Sequence, residues 1–210
     1  MWRKFLVSLS TLAFAFGILF ISLLRVAAVK YEFRAPYVAG TANKVLAADA
    51  VNIDYTLPFP GRVLPDSPLW SLKATRDRLW LILTTKPTRK AELKLLFADK
   101  RLGMALNLFE QNKPEKGFST LTRAEKYLEE ASWQEVDNRK AGIDTTEFLE
   151  QIANASLKHY EVIGKIESLA SEEMRPAVNQ MGDYAKRVYE ESRNALLGKG
   201  IAVNQCPFDW

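Results

Sequence analysis

The chain has 210 residues, 48% of them hydrophobic and 26% charged, a balance that excludes a wholly disordered polymer. One cysteine and one histidine exclude an internal disulfide framework, a cysteine-based zinc centre and every two-histidine metal motif. The formal charge is +4, but Arg3, Lys4 and Arg25 have no acid beside them in residues 1–28. The remainder carries about +1 by counting, and the case for nucleic-acid binding goes with that first segment.

From Phe5 to Leu24 no residue is charged. Twenty helical residues rise about 30 Å, the thickness of a bilayer core. Ser8, Ser10, Thr11 and Ser22 are the run's only hydroxyl-bearing residues and form no continuous polar face. Residues 1–28 therefore read as a signal-anchor or transmembrane helix that holds the chain in the cell membrane by a single pass, with residues 5–24 in the lipid. The alternative is a cleaved signal peptide: Val26-Ala27-Ala28 offers small residues for a cut after Ala28, which would release a secreted domain. The run is longer than the usual signal core of about 7–15 residues, and Arg25 lies between it and that cut. Basic residues flank both sides, so charge alone does not orient it. With four residues before the run, the functional portion is expected to be the C-terminal one, outside the cytoplasm.

Residues 29–64 read as an extended linker. Pro36, Pro58 and Pro60 lie in it, and proline fixes φ and removes an amide donor. Its last residues, among them Tyr55, Leu57, Phe59, Val63 and Leu64, are too apolar for a free tether and are expected to strap onto the domain that follows. Residues 65–198 carry helical periodicity throughout. Asp66-Ser67-Pro68 predicts a capped start for a first helix over about 68–84. A second helix runs over about 88–111, with Leu95, Ala98, Leu102, Ala105 and Phe109 on one face and Phe97, Met104 and Leu108 beside it. Two stripes on one helix imply two packing neighbours. Asn112-Lys-Pro-Glu115 and Asp144-Thr-Thr-Glu147 read as capping boxes opening a third and a fourth helix. The fourth carries Phe148, Ile152, Ala155, His159, Val162, Ile166 and Leu169 in register. The fifth begins near Arg175-Pro176 and stops at Gly198. Short breaks favour antiparallel neighbours. The expected fold is all-α, an antiparallel up-and-down bundle of about five helices, followed by a tail over 199–210.

The chemistry-bearing residues point away from catalysis. His159 falls in an apolar stripe, where a core histidine bonded to a neighbouring helix is expected, with pH sensing as the sharper alternative. The pairs Glu129-Glu130, Glu172-Glu173 and Glu190-Glu191 diverge by about 100° on a helix and cannot clamp a metal or share a proton. A bundle di-metal site needs two Glu-x-x-His motifs, and one histidine cannot supply them. No cofactor is expected. Cys206 lies in the tail with no histidine or helix N-terminus to activate it; it reads as a packed thiol or as an intermolecular bridge to another chain. Residues 66–112 hold nine basic and five acidic side chains and residues 143–210 seven and eleven, which reads as mutual support between the two ends of the domain or as oppositely charged partners.

Pro60 to Leu106 contains PGRVLPDSPLWSLKATRDRL and then TRKAELKLLFADKRLGMAL. This resembles the bacterial family called domain of unknown function 5667. The matching positions are Pro60, Gly61, Pro65, Asp66, Ser67, Pro68, Leu69, Trp70 and Lys73, then Lys90, Ala91, Glu92, Leu93, Ala98, Arg101 and Leu102. Trp70 stands where tyrosine is more usual. The resemblance implies an exported or membrane-anchored helical domain and supplies no activity. On this reading Asp66 caps, Pro68 starts a helix, Leu93 and Leu102 pack, and Glu92 and Arg101 pair with the linker strap.

The expected role is that of a non-enzymatic, membrane-tethered, extracytoplasmic bundle acting in protein–protein interaction or envelope sensing. It would have the bilayer, an unidentified protein or a second copy as partners, and no nucleic acid. The rival classes are a ligand- or metal-binding stress sensor with a groove between helices, and a hydrolase using carboxylates alone. The hydrolase would need two acids about 5–10 Å apart on facing helices.

Overall fold

The computed structural model describes residues 53–203 and 206–209, together with Trp2, Ser10, Thr11, Phe14 and Ile18. Apart from four of those positions, the apolar run 5–24 lies outside the described residues, as does the linker up to residue 52. Among the described residues no helix is long and apolar enough to cross a membrane.

Five helices follow the strap: α1 (Trp70–Leu83), α2 (Pro87–Glu110), α3 (Pro114–Lys140), α4 (Thr146–Leu169) and α5 (Arg175–Gly198). No strand occurs among the described residues, so the class is all-α. Pro87, Pro114 and Pro176 sit in the first turns of their helices, where the missing amide donor costs no intrahelical bond.

The helix ends differ from the sequence expectation in their chemistry. Asp66 does not cap α1; its carboxylate takes a 2.5 Å bond from Lys113 Nζ, and Ser67 Oγ accepts from the Leu69 amide instead. Pro68 therefore opens a turn, and the helix begins two residues later. Asn112 is no capping-box residue either. It has φ 57° and closes the end of α2, as the Lys113 amide donates back to the Leu108 carbonyl at 2.9 Å. Asp144 Oδ1 accepts from the Thr146 amide and hydroxyl, a local turn rather than a reciprocal box. Gly200, with φ 74°, supplies the left-handed residue that ends α5; Gly198 is still helical.

Two layers of the core draw on all four long helices. In one, Leu102, Ala105 and Phe109 of α2 meet Leu121 and Ala124 of α3, Val162 and Ile166 of α4, and Val178 of α5. In the other, Leu95 and Ala98 meet Leu128, Ala131, Ile152, Ala155, Ala185 and Val188. Alanines facing larger aliphatics let the helices approach and fill the space between them. The helices α2 and α3 form one extensive contact and α4 and α5 another; the two pairs join through α2 on α4 and α3 on α5. The helix α1 stands outside this core. It touches α2 alone among the helices, through Trp80 on Leu93, Leu96 and Phe97.

Candidate functional site

The strap fixes one edge of the candidate site. Gly61 has φ 90°, a conformation that L side chains rarely adopt. Its turn lets Lys73 Nζ donate to the carbonyls of Pro60, at 3.2 Å, and Val63, at 3.1 Å. Gly103 of α2 lies beneath Pro60, where an added Cβ would sit 3.4 Å from the proline ring. The strap, α1 and α2, with Ile18 of the apolar run at the border, enclose a groove of about 1070 Å³.

The walls are mainly apolar. Leu69, just before α1, and Leu72 and Leu79 of α1 line it and are also 60%, 71% and 39% exposed; Trp80, Phe97 and Met104 form the inner side. Trp80 and Phe97 pack edge to face at 6.0 Å, and Phe97 meets Tyr127 in the same way at 5.9 Å.

Arg101 is set into this wall and is only 7% exposed. Its guanidinium lies 4.4 Å from the Tyr127 ring centre and 5.5 Å from that of Phe97. One nitrogen donates to the Phe97 carbonyl at 3.4 Å. The buried Nε has no partner, and no described carboxylate forms an ion pair with it. Burial pulls its pKa below the usual arginine value, with the nearby Tyr127 and Asp77 acting in the opposite sense. Burial likewise holds Lys73 down to about 8 and lowers Lys100.

A second polar feature lies in the core itself. His159 of α4, Asp99 of α2 and Glu125 of α3 are all fully buried. The imidazole bonds Glu125 Oε1 through Nδ1 at 2.7 Å and Asp99 Oδ1 through Nε2 at 3.1 Å. Tyr55 of the strap donates to the other Asp99 oxygen at 2.6 Å. Burial alone lowers the His159 pKa, but the Glu125 charge and the bonds from Asp99 and Glu125 outweigh it and raise the group to about 9. Both ring nitrogens face carboxylate oxygens, the arrangement that favours an imidazolium, which donates from both. Tyr55 is pushed well above 10 by its burial and by Asp99. Both imidazole nitrogens are occupied by carboxylates, and no cluster of His, Cys, Asp or Glu among the described residues is arranged to hold a metal ion. The network ties α2, α3, α4 and the strap to one another.

The sequence-predicted residues divide between these places. Pro60, Gly61, Leu69, Trp70, Lys73 and Arg101, from two separated stretches, meet around the groove. Ala91, Leu93, Ala98 and Leu102 are core residues. Pro65, Asp66, Ser67 and Pro68 form the turn before α1. Glu92 does not reach the strap; it pairs with Arg89 at 2.6 Å. Nor does Arg101 pair with the strap, which is pinned instead by Lys73 and by Tyr55. Cys206 is partly buried beside Ile53 and Tyr189, with a thiol that burial pushes up.

Sequence reasoning missed Asp99 and Glu125 as core acids. Their signal was their register: Leu95-Ala98-Asp99-Leu102 and Leu121-Ala124-Glu125-Leu128 repeat one pattern, with the acid adjoining a buried alanine. The partner of Glu125 is His159, across the core.

Strap, groove and core define an all-α helical domain with a side pocket and an internally paired polar centre. The chain belongs to the family described as "Domain of unknown function (DUF5667)", whose model matches residues 62–173. That match takes in α1 to α4 and ends before α5. No curated protein and no solved structure matches the chain.

Proposed function

We propose that this chain is a non-enzymatic, membrane-tethered binding module of the cell envelope. Residues 5–24 anchor it in the bilayer, the helical domain is extracytoplasmic, and the groove between the strap, α1 and α2 is where it engages its partner. One observation carries the reading: Arg101 is buried in the groove wall with no carboxylate paired to it, the nearby Asp77 being held by Arg76. Desolvating a cation without an acid is unfavourable, and such a group is matched in function when an anion fills the space beside it. The exposed apolar side chains of α1 at the same place support this reading, since contiguous apolar surface beside a pocket marks an interaction site.

The test is a photo-crosslinking side chain placed in the full-length protein in its own membranes. Substituted at Leu72 in the groove, it is expected to give a defined adduct in the membrane fraction. At Glu190, exposed on α5, it is expected to give none. Equal labelling from both positions, or a chain that does not sediment with membranes, would overturn the reading.

A further inference from the structure

The groove is strongly biased in charge. Arg62, Lys73, Arg76, Lys100 and Arg101 line it against one acid, Asp77. That acid is already held by Arg76, with Nη2 and Oδ1 2.7 Å apart. Such an excess repels a metal cation and attracts an anion. A guanidinium offers its planar fork to carboxylate or phosphate alike. The remaining wall is apolar and would gain nothing from a purely hydrophilic polyanion. Leu69, Leu72 and Leu79, with Thr75 and Arg76 between the last two, span ten residue steps, about 15 Å of helix, which matches the reach of a medium-length acyl chain.

Resting on the groove as the binding site, we propose that its ligand is an anionic amphiphile with a single acyl chain. The carboxylate or phosphate head meets Arg101, and the chain lies along Leu69, Leu72 and Leu79. Head and tail are both required. The head supplies the missing counter-charge, and the tail covers side chains that otherwise face water. The burial of Arg101 shields the pair formed with the head from water, so its attraction is screened less by salt.

Trp70 and Trp80 line the groove, so contact quenching by a bromine-tailed chain reports occupancy. The full-length protein in phosphatidylcholine nanodiscs is titrated with bromine-tailed dodecanoate, bromine-tailed dodecyl phosphate and bromine-tailed dodecanol. Inorganic phosphate alone and dodecyl phosphate are also compared by their effect on the melting temperature. Saturable quenching by one or both anions is expected, at least tenfold tighter than by the alcohol, and which of them binds tighter identifies the head. The quenching should shrink in Trp80→Phe, and inorganic phosphate should leave the melting temperature unmoved. Arg101→Met should weaken the anion at least tenfold while melting no lower than the wild type. Leu72→Gln, at an exposed position, should weaken whichever anion binds through the tail even if Arg101→Met fails to fold.

Equal binding of dodecanol would overturn the anionic assignment and leave the groove as a binding site. A phosphate effect as large as that of dodecyl phosphate would overturn the amphiphile. No quenching by any chain would overturn the proposal altogether and assign the groove to the protein's own apolar run, since Ile18 also borders it; the Leu72 crosslink then decides separately whether the groove binds anything else.

Discussion

His159 gives the domain a stability that depends on pH in a definite direction. In the unfolded chain its pKa is 6.5, and in the folded chain it is raised to about 9. A base whose pKa rises on folding binds its proton more tightly in the native state. Its contribution is therefore complete below about pH 6.5 and is lost as pH rises through about 9. The difference is worth on the order of 3 kcal/mol, at about 1.4 kcal/mol per tenfold change in proton affinity. For a domain of this size that corresponds to about 6–12 °C in melting temperature. Urea unfolding of the full-length protein in detergent, followed by circular dichroism at about pH 6 and about pH 9.5, is expected to show this fall. His159→Gln removes the titrating ring and leaves at least one buried carboxylate without its cation. It should be less stable at about pH 6 and lack the steady decline. Lys73 acts oppositely above about pH 8, because burial depresses its pKa and stability returns as it loses its proton. That contribution is common to both proteins and cancels in their difference. A stability difference between the wild type and His159→Gln that stays constant from about pH 6 to about pH 9.5 would refute the assignment of the buried imidazolium.

Tyr55→Phe deletes the hydroxyl bonded to Asp99 and should lower stability by about 1–3 kcal/mol; limited proteolysis should then cut the strap ahead of the helices. Gly117→Ala places a Cβ 2.6 Å from the Phe109 ring, and this clash at the α2–α3 contact should cost about 1–3 kcal/mol in urea unfolding. Glu135→Ala removes a buried acceptor shared by Thr145, at 2.6 Å, and Arg139, at 3.0 Å. A loss of about 1–3 kcal/mol is expected, with faster amide exchange where α3 turns into α4. Glu92→Ala, expected from the sequence to free the strap, should instead change stability by less than about 1 kcal/mol, because its partner is the partly exposed Arg89.

The helices were legible because burial repeats along them. Leu95, Ala98, Leu102, Ala105 and Phe109 are all buried, as a stripe of that spacing requires. Helix ends were legible in position and less so in chemistry. Asp66 fits a cap by type, but Lys113, 47 residues away in the chain, takes its carboxylate. Asn112 fits a cap equally well by type, yet it adopts the left-handed conformation that closes the preceding helix. The polar centre was half legible: the place of His159 follows from its stripe, whereas its acids sit on α2 and α3, and no local pattern states which helices face each other. The groove was the least legible. It exists because the strap crosses α2 at Gly103 while α1 leans on α2 by Trp80, two tertiary facts with no sequence period.

His159 and Arg101 are both buried cations in the same domain, yet their surroundings are opposite. His159 touches two carboxylates within 3.1 Å; Arg101 pairs with none among the described residues and is left with aromatic faces and one carbonyl. Removing His159 takes the shared cation from two buried carboxylates, one of which already has an unpartnered oxygen at Glu125 Oε2, and breaking a buried pair in this way destabilises by about 3–5 kcal/mol; removing Arg101 breaks no ion pair among the described residues and relieves the cost of desolvating a cation. The two substitutions should therefore diverge in one thermal-melting experiment without ligand. His159→Leu should melt well below the wild type, and Arg101→Met at or above it. A charge that lowers the stability of its own fold is accounted for by what it binds. If Arg101→Met fell as far as His159→Leu, the stacking of Arg101 on Tyr127 and Phe97 would be a structural contact, and the groove would lose its claim to a missing anion.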